Sequence, residues 1–397
     1  MEFAENRAVE SRASNPESRL ADLVRERGPL TVAAFMEFAL YDQTFGYYAR
    51  AAQRSGRAGD FFTSVDVGPL FGELLATQLA QMFHILQAPD FERQASDFRL
   101  QPSDFDLVEA GAGSGRLSAD ILRALGVRHP DLYPHVRLHL IEASAAARDA
   151  QQATLGDVRD RLSSASGLLP ESFEGVLVAN ELLDAFPVHQ VVMREDGLKE
   201  TYVERRREGA ALRTVEGPPS TPALQRYLDR LGVTLEPGWR VEINLRAVDW
   251  IRDAAQRLTR GFIILIDYGH EARELYSASH AHGTLTTFSG HRTDVARGAA
   301  PWLEHPGEQD ITAHVDFTSV RDAAEAAGLT TIAFLDQTYF VLGLVEEWTA
   351  PALARRSAAL KTLMMPGGLG STHKVMILGK GVGRPRLKGC SFSARVT

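Results

Sequence analysis

The stretch from residue 107 to 117, LVEAGAGSGRL, constrains this chain more than any other. An apolar run suited to a buried strand ends in Gly111, Gly113 and Gly115, and a helical pattern with Leu117, Leu122 and Leu125 begins directly afterwards. Closely spaced glycines permit a tight turn and let the backbone lie against a ligand with no side chain between them. A strand, glycine turn and helix in that order open an α/β fold that binds at the strand's C-terminal end. Glu109, two positions before the first glycine, chooses among ligands, because a carboxylate there repels a pyrophosphate and favours a cation. S-adenosylmethionine carries a sulfonium and an ammonium but no phosphate, so the pattern favours it over NAD. Arg116 also stands where a dinucleotide G-x-G-x-x-G pattern has its third small residue.

The rest of the core repeats this alternation. Strands are expected at Phe105 to Ala110, Val136 to Ile141, an indistinct place within 158 to 168, Gly175 to Ala179 and Gly261 to Asp267, then at Tyr339 to Val345 and Lys374 to Leu378. The run at 261 to 267 is so apolar that both of its faces must be covered. The fold class is therefore α/β, a doubly wound, mostly parallel sheet of about seven strands. Before it, residues 1 to 100 read as a helical region, with Pro16 and Thr31 at helix starts and Leu70, Leu74, Leu75 and Leu79 on one face of a third helix. The core is expected to span 101 to 380. Insertions fall at about 188 to 242, opening with a hairpin signal at Asp196-Gly197, and at 270 to 315; residues 381 to 397 read as a loose basic tail.

Composition narrows the function classes. Forty-three basic against 51 acidic side chains leave a net charge of −8, which advertises no phosphate-binding surface, so no nucleic-acid partner is expected. The single cysteine, Cys390, excludes an intrachain disulfide framework. No apolar run is long enough to span a membrane, and the first residues lack the apolar centre of a signal peptide, so a cytoplasmic protein is expected. His270, His280, His282 and His291 invite a metal reading, but their spacing is not that of a tetrahedral Cys/His site, and no metal is expected.

Several blocks then occur in a familiar order: LYDQTFGYY at 40 to 48, GDFFTS at 59 to 64, FGELLATQLA at 71 to 80, LVEAGAGSGRLSADILRAL at 107 to 125, ANELLDAFPVHQ at 179 to 190, IDYG at 266 to 269 and PGEQDITAHVDF at 306 to 317. In these the chain resembles the MidA family of S-adenosylmethionine-dependent methyltransferases, which includes a mitochondrial complex I assembly factor. The resemblance implies a class I methyltransferase core and N-methylation of arginine in a partner protein, with a respiratory complex I subunit as the implied partner. The chain departs from the family at Ala112, where proline is usual, near Ser114, in the Val65-Asp66-Val67-Gly68 loop and at 283 to 290. Those last two differences bear on the acceptor and leave the cofactor reading intact.

Gly111, Gly113 and Gly115 are expected to contact the cofactor through backbone, with Glu109 near its ammonium and Glu142 accepting from ribose hydroxyls. Phe61, Thr63 and Ser64 match a family loop over the cofactor. Asn180, Glu181 and Asp184 are the catalytic candidates, the two acids sharing a face if a helical turn begins there, although Asn180 and Asp184 would also suit helix caps. A carboxylate pair suits an arginine acceptor, whose pKa lies above about 12. Tyr47, Tyr48, Asp267, Tyr268 and His314 are candidates for a slot that receives a planar cation, against the plainer reading of the aromatics as core. A non-catalytic assembly factor that retains the pocket, and a small-molecule methyltransferase, remain open as alternatives.

Overall fold

The computed structural model describes residues 16–49, 63–88, 104–206, 212–289, 292–293, 300–346, 348–365 and 368–392. Contacts divide the chain into two units, one of residues 1–61, 183–249 and 270–319, the other of 62–182, 250–269 and 320–397. The N-terminal region expected as one helical body is thereby shared: helices Pro16–Arg27 and Val32–Tyr41 belong to the first unit, and Leu70–Gln87 to the second.

The second unit is built on a sheet whose path runs through seven strands: β1 (Phe105–Ala110), β2 (Val136–Ile141), β3 (Leu162–Ser166), β4 (Phe173–Asn180), β5 (Leu258–His270), β6 (Thr330–Asp336) and β7 (His373–Lys380). Their spatial order is β3-β2-β1-β4-β5-β7-β6. The first five are parallel, and β7 runs antiparallel between β5 and β6. Residues Phe262 to Ile266 of β5 have no exposed surface, which fulfils the expectation that both faces are covered. Helix Leu70–Gln87 lies against helix Arg116–Arg128, and the approach depends on Gly72, where a Cβ would stand 2.6 Å from that of Asp120.

Two expectations are corrected here. Tyr339 to Val345 forms a helix, Gln337–Val345, and the strand precedes it as β6. The apolar run was ambiguous, but Gln337, Phe340, Val341 and Leu344 are buried at helical spacing. The tail is docked over residues 381 to 392: Leu387 is buried, and the backbone N–H groups of Lys388 and Gly389 donate to the side chains of Gln81 and Gln78.

The first unit gathers distant segments. Strand Gly197–Arg205 pairs with His189–Arg194 across the expected hairpin, and also with Leu30–Thr31 and Leu212–Gly217. A three-stranded sheet joins Thr286–Ser289 to Arg292–Thr293 and Asp310–Thr312. Val32, Phe35, Leu40, Tyr47, Val188, Val203 and Ile311 make its core. Thr31 caps its helix as expected, accepting from the Ala34 N–H.

Candidate functional site

In the sheet unit, β1 and β4 are parallel neighbours, and the order in which strands are added reverses between them, so that the sheet is wound to either side. Such a switch point opens a crevice beyond the strands' C-terminal ends. The glycine loop after β1 and the Asn180-Glu181-Leu182 turn after β4 both lie there.

The three glycines have positive φ but different surroundings. A Cβ on Gly111 would stand 3.0 Å from Leu182, and one on Gly115 would stand 3.1 Å from Leu140. At Gly113, with φ of +51°, no atom among the described residues lies within 4 Å of that position. The loop is thus packed on both sides and open at its middle, which fits a ligand lying on its backbone. Glu142, at the end of β2, fixes the opening: its Oε2 accepts from Gly113 N at 2.8 Å and its Oε1 from Ser144 N at 2.7 Å. Ser144 in turn caps helix Ala145–Leu155. Gln151, fully buried on that helix, donates to the Gly113 carbonyl at 2.9 Å, and its own Oε1 is buried without a partner among the described residues.

Glu109 is turned inward. Its Oε2 accepts from the Ser118 N–H at 3.1 Å and from the Ser118 hydroxyl, at the first turn of helix Arg116–Arg128. Burial pushes its pKa up to about 7, against the pull of Ser118. Expected near the cofactor's ammonium, Glu109 makes its hydrogen bonds among the described residues with Ser118.

Glu181 has φ of +50°, one of two non-glycine residues with positive φ among those described. Strain of this kind in a bulky residue costs about 1–3 kcal/mol and marks a place where the surroundings dictate the backbone. The dictating contacts are identifiable. Glu181 N donates to Ile266 O at 2.8 Å, while both oxygens of buried Asp267 are taken by backbone N–H groups, of Leu182 at 3.1 Å and of Tyr268 at 2.9 Å. The Glu181 carboxylate accepts from Ser64 N at 3.3 Å and from Asn180 Nδ2 at 3.2 Å. Asn180 Oδ1 is buried with no partner among the described residues. His373 Nε2, at the start of β7, lies 3.7 Å from Glu181 Oε1, too far for a hydrogen bond but close enough for charge attraction. Burial lowers the pKa of His373, but Glu181, and Asp267 beyond it, overcome this and raise it.

No helical turn follows β4, so Glu181 and Asp184 do not share a helix face, and neither Asn180 nor Asp184 caps a helix there. Asp184 belongs to the first unit, where it is buried and its carbonyl accepts from Ala313 N. Ser64 is buried, with its hydroxyl donating to Gln337 at 3.1 Å. Thr63 forms a capping box with Asp66, and Asp66 pairs with Arg116 at 2.7 Å. Arg116, which broke the dinucleotide pattern, thus ties this turn to the glycine loop. Phe61 and His291 lie outside the described residues.

The candidates for the cation slot are divided between the units, Asp267 and Tyr268 in the sheet unit and Tyr47, Tyr48 and His314 in the first. Tyr47 is wholly buried in the core of the first unit, because the short 3-10 turn Tyr47–Ala49 points its ring inward. Tyr48, in the same unit, donates to Asp310 at 2.8 Å. Tyr268, in the sheet unit, packs edge-on to His373 with ring centroids 5.8 Å apart. His314 meets His270 and His280 instead, in the first unit. Sequence reasoning missed His373 and Gln151. Gln151 left a signal, a polar residue on the buried stripe Ala147, Gln151, Leu155; His373 left none, lying 192 positions from Glu181.

The strand order, the open glycine and an acid at the end of β2 define the class I S-adenosylmethionine-dependent methyltransferases. The chain belongs to a family of S-adenosyl-L-methionine-dependent methyltransferases whose profile matches residues 74–335. It is 30% identical over 349 residues to the mitochondrial protein arginine methyltransferase NDUFAF7 of Mus musculus, an alignment covering 81% of this chain and 72% of that protein. The Caenorhabditis elegans homologue, also named mitochondrial, is 28% identical over 75% and 69% of the two chains. A crystal structure of a Burkholderia thailandensis protein bound to S-adenosyl-homocysteine matches with a TM-score of 0.82 at 28% identity, covering 95% of each chain. The chain is a methyltransferase and its cofactor is S-adenosylmethionine. The cytoplasmic expectation is overturned by the relatives, which are named mitochondrial.

Proposed function

We propose that this methyltransferase acts on an arginine side chain of a partner protein. The observation that carries the reading is the pairing of Glu181, held in a left-handed conformation, with the buried, unpartnered Oδ1 of Asn180. A fixed carboxylate beside an unsatisfied acceptor suits a group rich in N–H donors and positively charged, and a guanidinium is such a group. The relatives named as protein arginine methyltransferases support it.

When bound, S-adenosylmethionine supplies a methyl group on a positively charged sulfur that becomes neutral as it leaves. Gly113 and Glu142 are the residues to hold it, Gly113 by its open backbone and Glu142 by the acceptor capacity it retains on two oxygens. Glu181 orients the guanidinium and accepts the proton that its nitrogen gives up as the N–C bond forms. Asn180 Oδ1 accepts a second N–H, and Asp267 is a positioning residue that holds the turn. Positioning and charge placement are the means available for an in-line transfer. A subunit of respiratory complex I is the partner that the family resemblance implies.

The test uses isotope-labelled S-adenosylmethionine, the purified protein and a lysate of cells lacking it, with mass spectrometry for methylarginine. Methylarginine in a defined protein, reduced at least 100-fold by Glu181→Gln while cofactor affinity is retained, is the expected result. Label confined to small molecules, or no label despite cofactor binding, overturns the reading.

A further inference from the structure

Three histidines far apart in sequence converge in the first unit. His270 ends β5, His280 closes the short turn Ala278–His280, and His314 lies between strands Asp310–Thr312 and Val315–Asp316. One ligand nitrogen from each lies within 4.8 Å of the other two. Their ring centroids are 4.8, 5.3 and 5.8 Å apart. All three are half-buried.

Glu274 lies against two of the rings. The Glu274 carboxylate lies 3.0 Å from His270 Nδ1, and the Glu274 carbonyl lies 2.9 Å from His280 Nδ1. With its Nδ1 hydrogen-bonded to that carbonyl, His280 has its Nε2 as the ligating nitrogen, the arrangement in which a carbonyl orients a metal-bound imidazole, and the Glu274 carboxylate lies beside the His270 ring. The His314 backbone is held by its N–H donating to Thr284 Oγ1 at 3.1 Å.

We infer that His270, His280 and His314 bind one zinc ion, three imidazole nitrogens completing a tetrahedron with water. Zinc–nitrogen bonds of about 2.0–2.1 Å would draw the three atoms to roughly 3.4 Å from one another, which small ring rotations supply. Imidazole ligands without thiolate suit zinc and its neighbours and exclude magnesium or calcium. The ion would clip the segments carrying His280 and His314 to His270 within the first unit, a closure that stabilises that unit by binding its folded form only. The site stands apart from the methyl-transfer reading and does not depend on it.

The experiment strips the full-length protein with a chelator and titrates it with cobalt, read by the visible absorption of tetrahedral cobalt, then displaces cobalt with zinc. One equivalent of each, with an affinity at least about 100-fold weaker in His280→Gln and in His314→Gln, is expected. His282→Gln, at an exposed histidine outside the cluster, is expected to bind as wild type. Circular dichroism and S-adenosylmethionine binding check that the variants are folded. No stoichiometric binding by the wild type, or equal binding by a His280→Gln/His314→Gln double variant, overturns the assignment.

Discussion

In the sheet unit the carboxylates of Glu142 and Asp267 accept from backbone N–H groups of loops, and that of Glu181 from one such group and the neighbouring Asn180 amide, whereas in the other unit those of Asp316 and Glu242 are met also by the side chains of Tyr227, Ser319, Gln190 and Thr284. Both arrangements take acids wholly or partly out of water. The first spends the acid on shaping a loop and leaves an opening at Gly113 and an unpartnered oxygen on Asn180. The second links strand Arg240–Ile243 and helix Phe317–Ala326 to Tyr276, Tyr227 and Thr284 in closed networks. A buried carboxylate is thus a mark of function only where its neighbours leave space or an unmet partner.

The most direct way to break this contrast is Gly113→Val. Because no described atom crowds that Cβ, stability should fall only by the left-handed strain of about 1–2 kcal/mol, while S-adenosylmethionine affinity by calorimetry should fall at least 100-fold. A loss of fold with little loss of affinity would make the loop a packing element.

Glu109→Gln sharpens the contrast within the sheet unit. The folded pKa, raised from 4.5 to about 7, means that the folded protein keeps a proton that the unfolded chain gives up in that interval. Stability from this group is therefore full below about 4.5, falls as pH rises to about 7 and stays low above it. The glutamine variant should be more stable than wild type at pH 8 by roughly 1–3 kcal/mol and lose that advantage at pH 4.5 in urea unfolding. A loss of cofactor affinity alongside would return Glu109 to the ligand.

In the closed network, Tyr227→Phe removes the hydroxyl that donates to Asp316 at 2.8 Å and should cost about 1–2 kcal/mol, with cofactor affinity unchanged. The smallest effect is expected from His373. Its raised pKa stabilises the fold fully below 6.5, and the contribution is lost as pH rises through the folded value. His373→Gln should flatten that slope in thermal denaturation measured from pH 6 to 9; an unchanged slope would separate His373 from Glu181.

What could be read from sequence follows the same division. The strands at 105–110 and 136–141 and the helix starts at Pro16 and Thr31 were legible because periodicity and flanking turns are local. The glycine loop was legible for the same reason. Tyr339–Val345 was not, since an apolar run between two buried layers fits either element and only packing decides. Nor was the meeting of His270, His280 and His314, which no spacing rule covers, because their loops are brought together by tertiary structure. The shared helical turn expected after Asn180 fails for a related reason: Asp267, 85 positions away from Leu182, bends the chain there.

The position of β7 has a consequence for how the protein is made. It lies between β5 and β6, yet it is the last of the seven to leave the ribosome. Until residues 373 to 380 emerge, β5 has an exposed edge, β6 has no neighbour in the sheet, and Glu181 lacks its histidine. A nascent chain interrupted before that point would carry a complete glycine loop and an open sheet edge, a state in need of a chaperone rather than one ready to work.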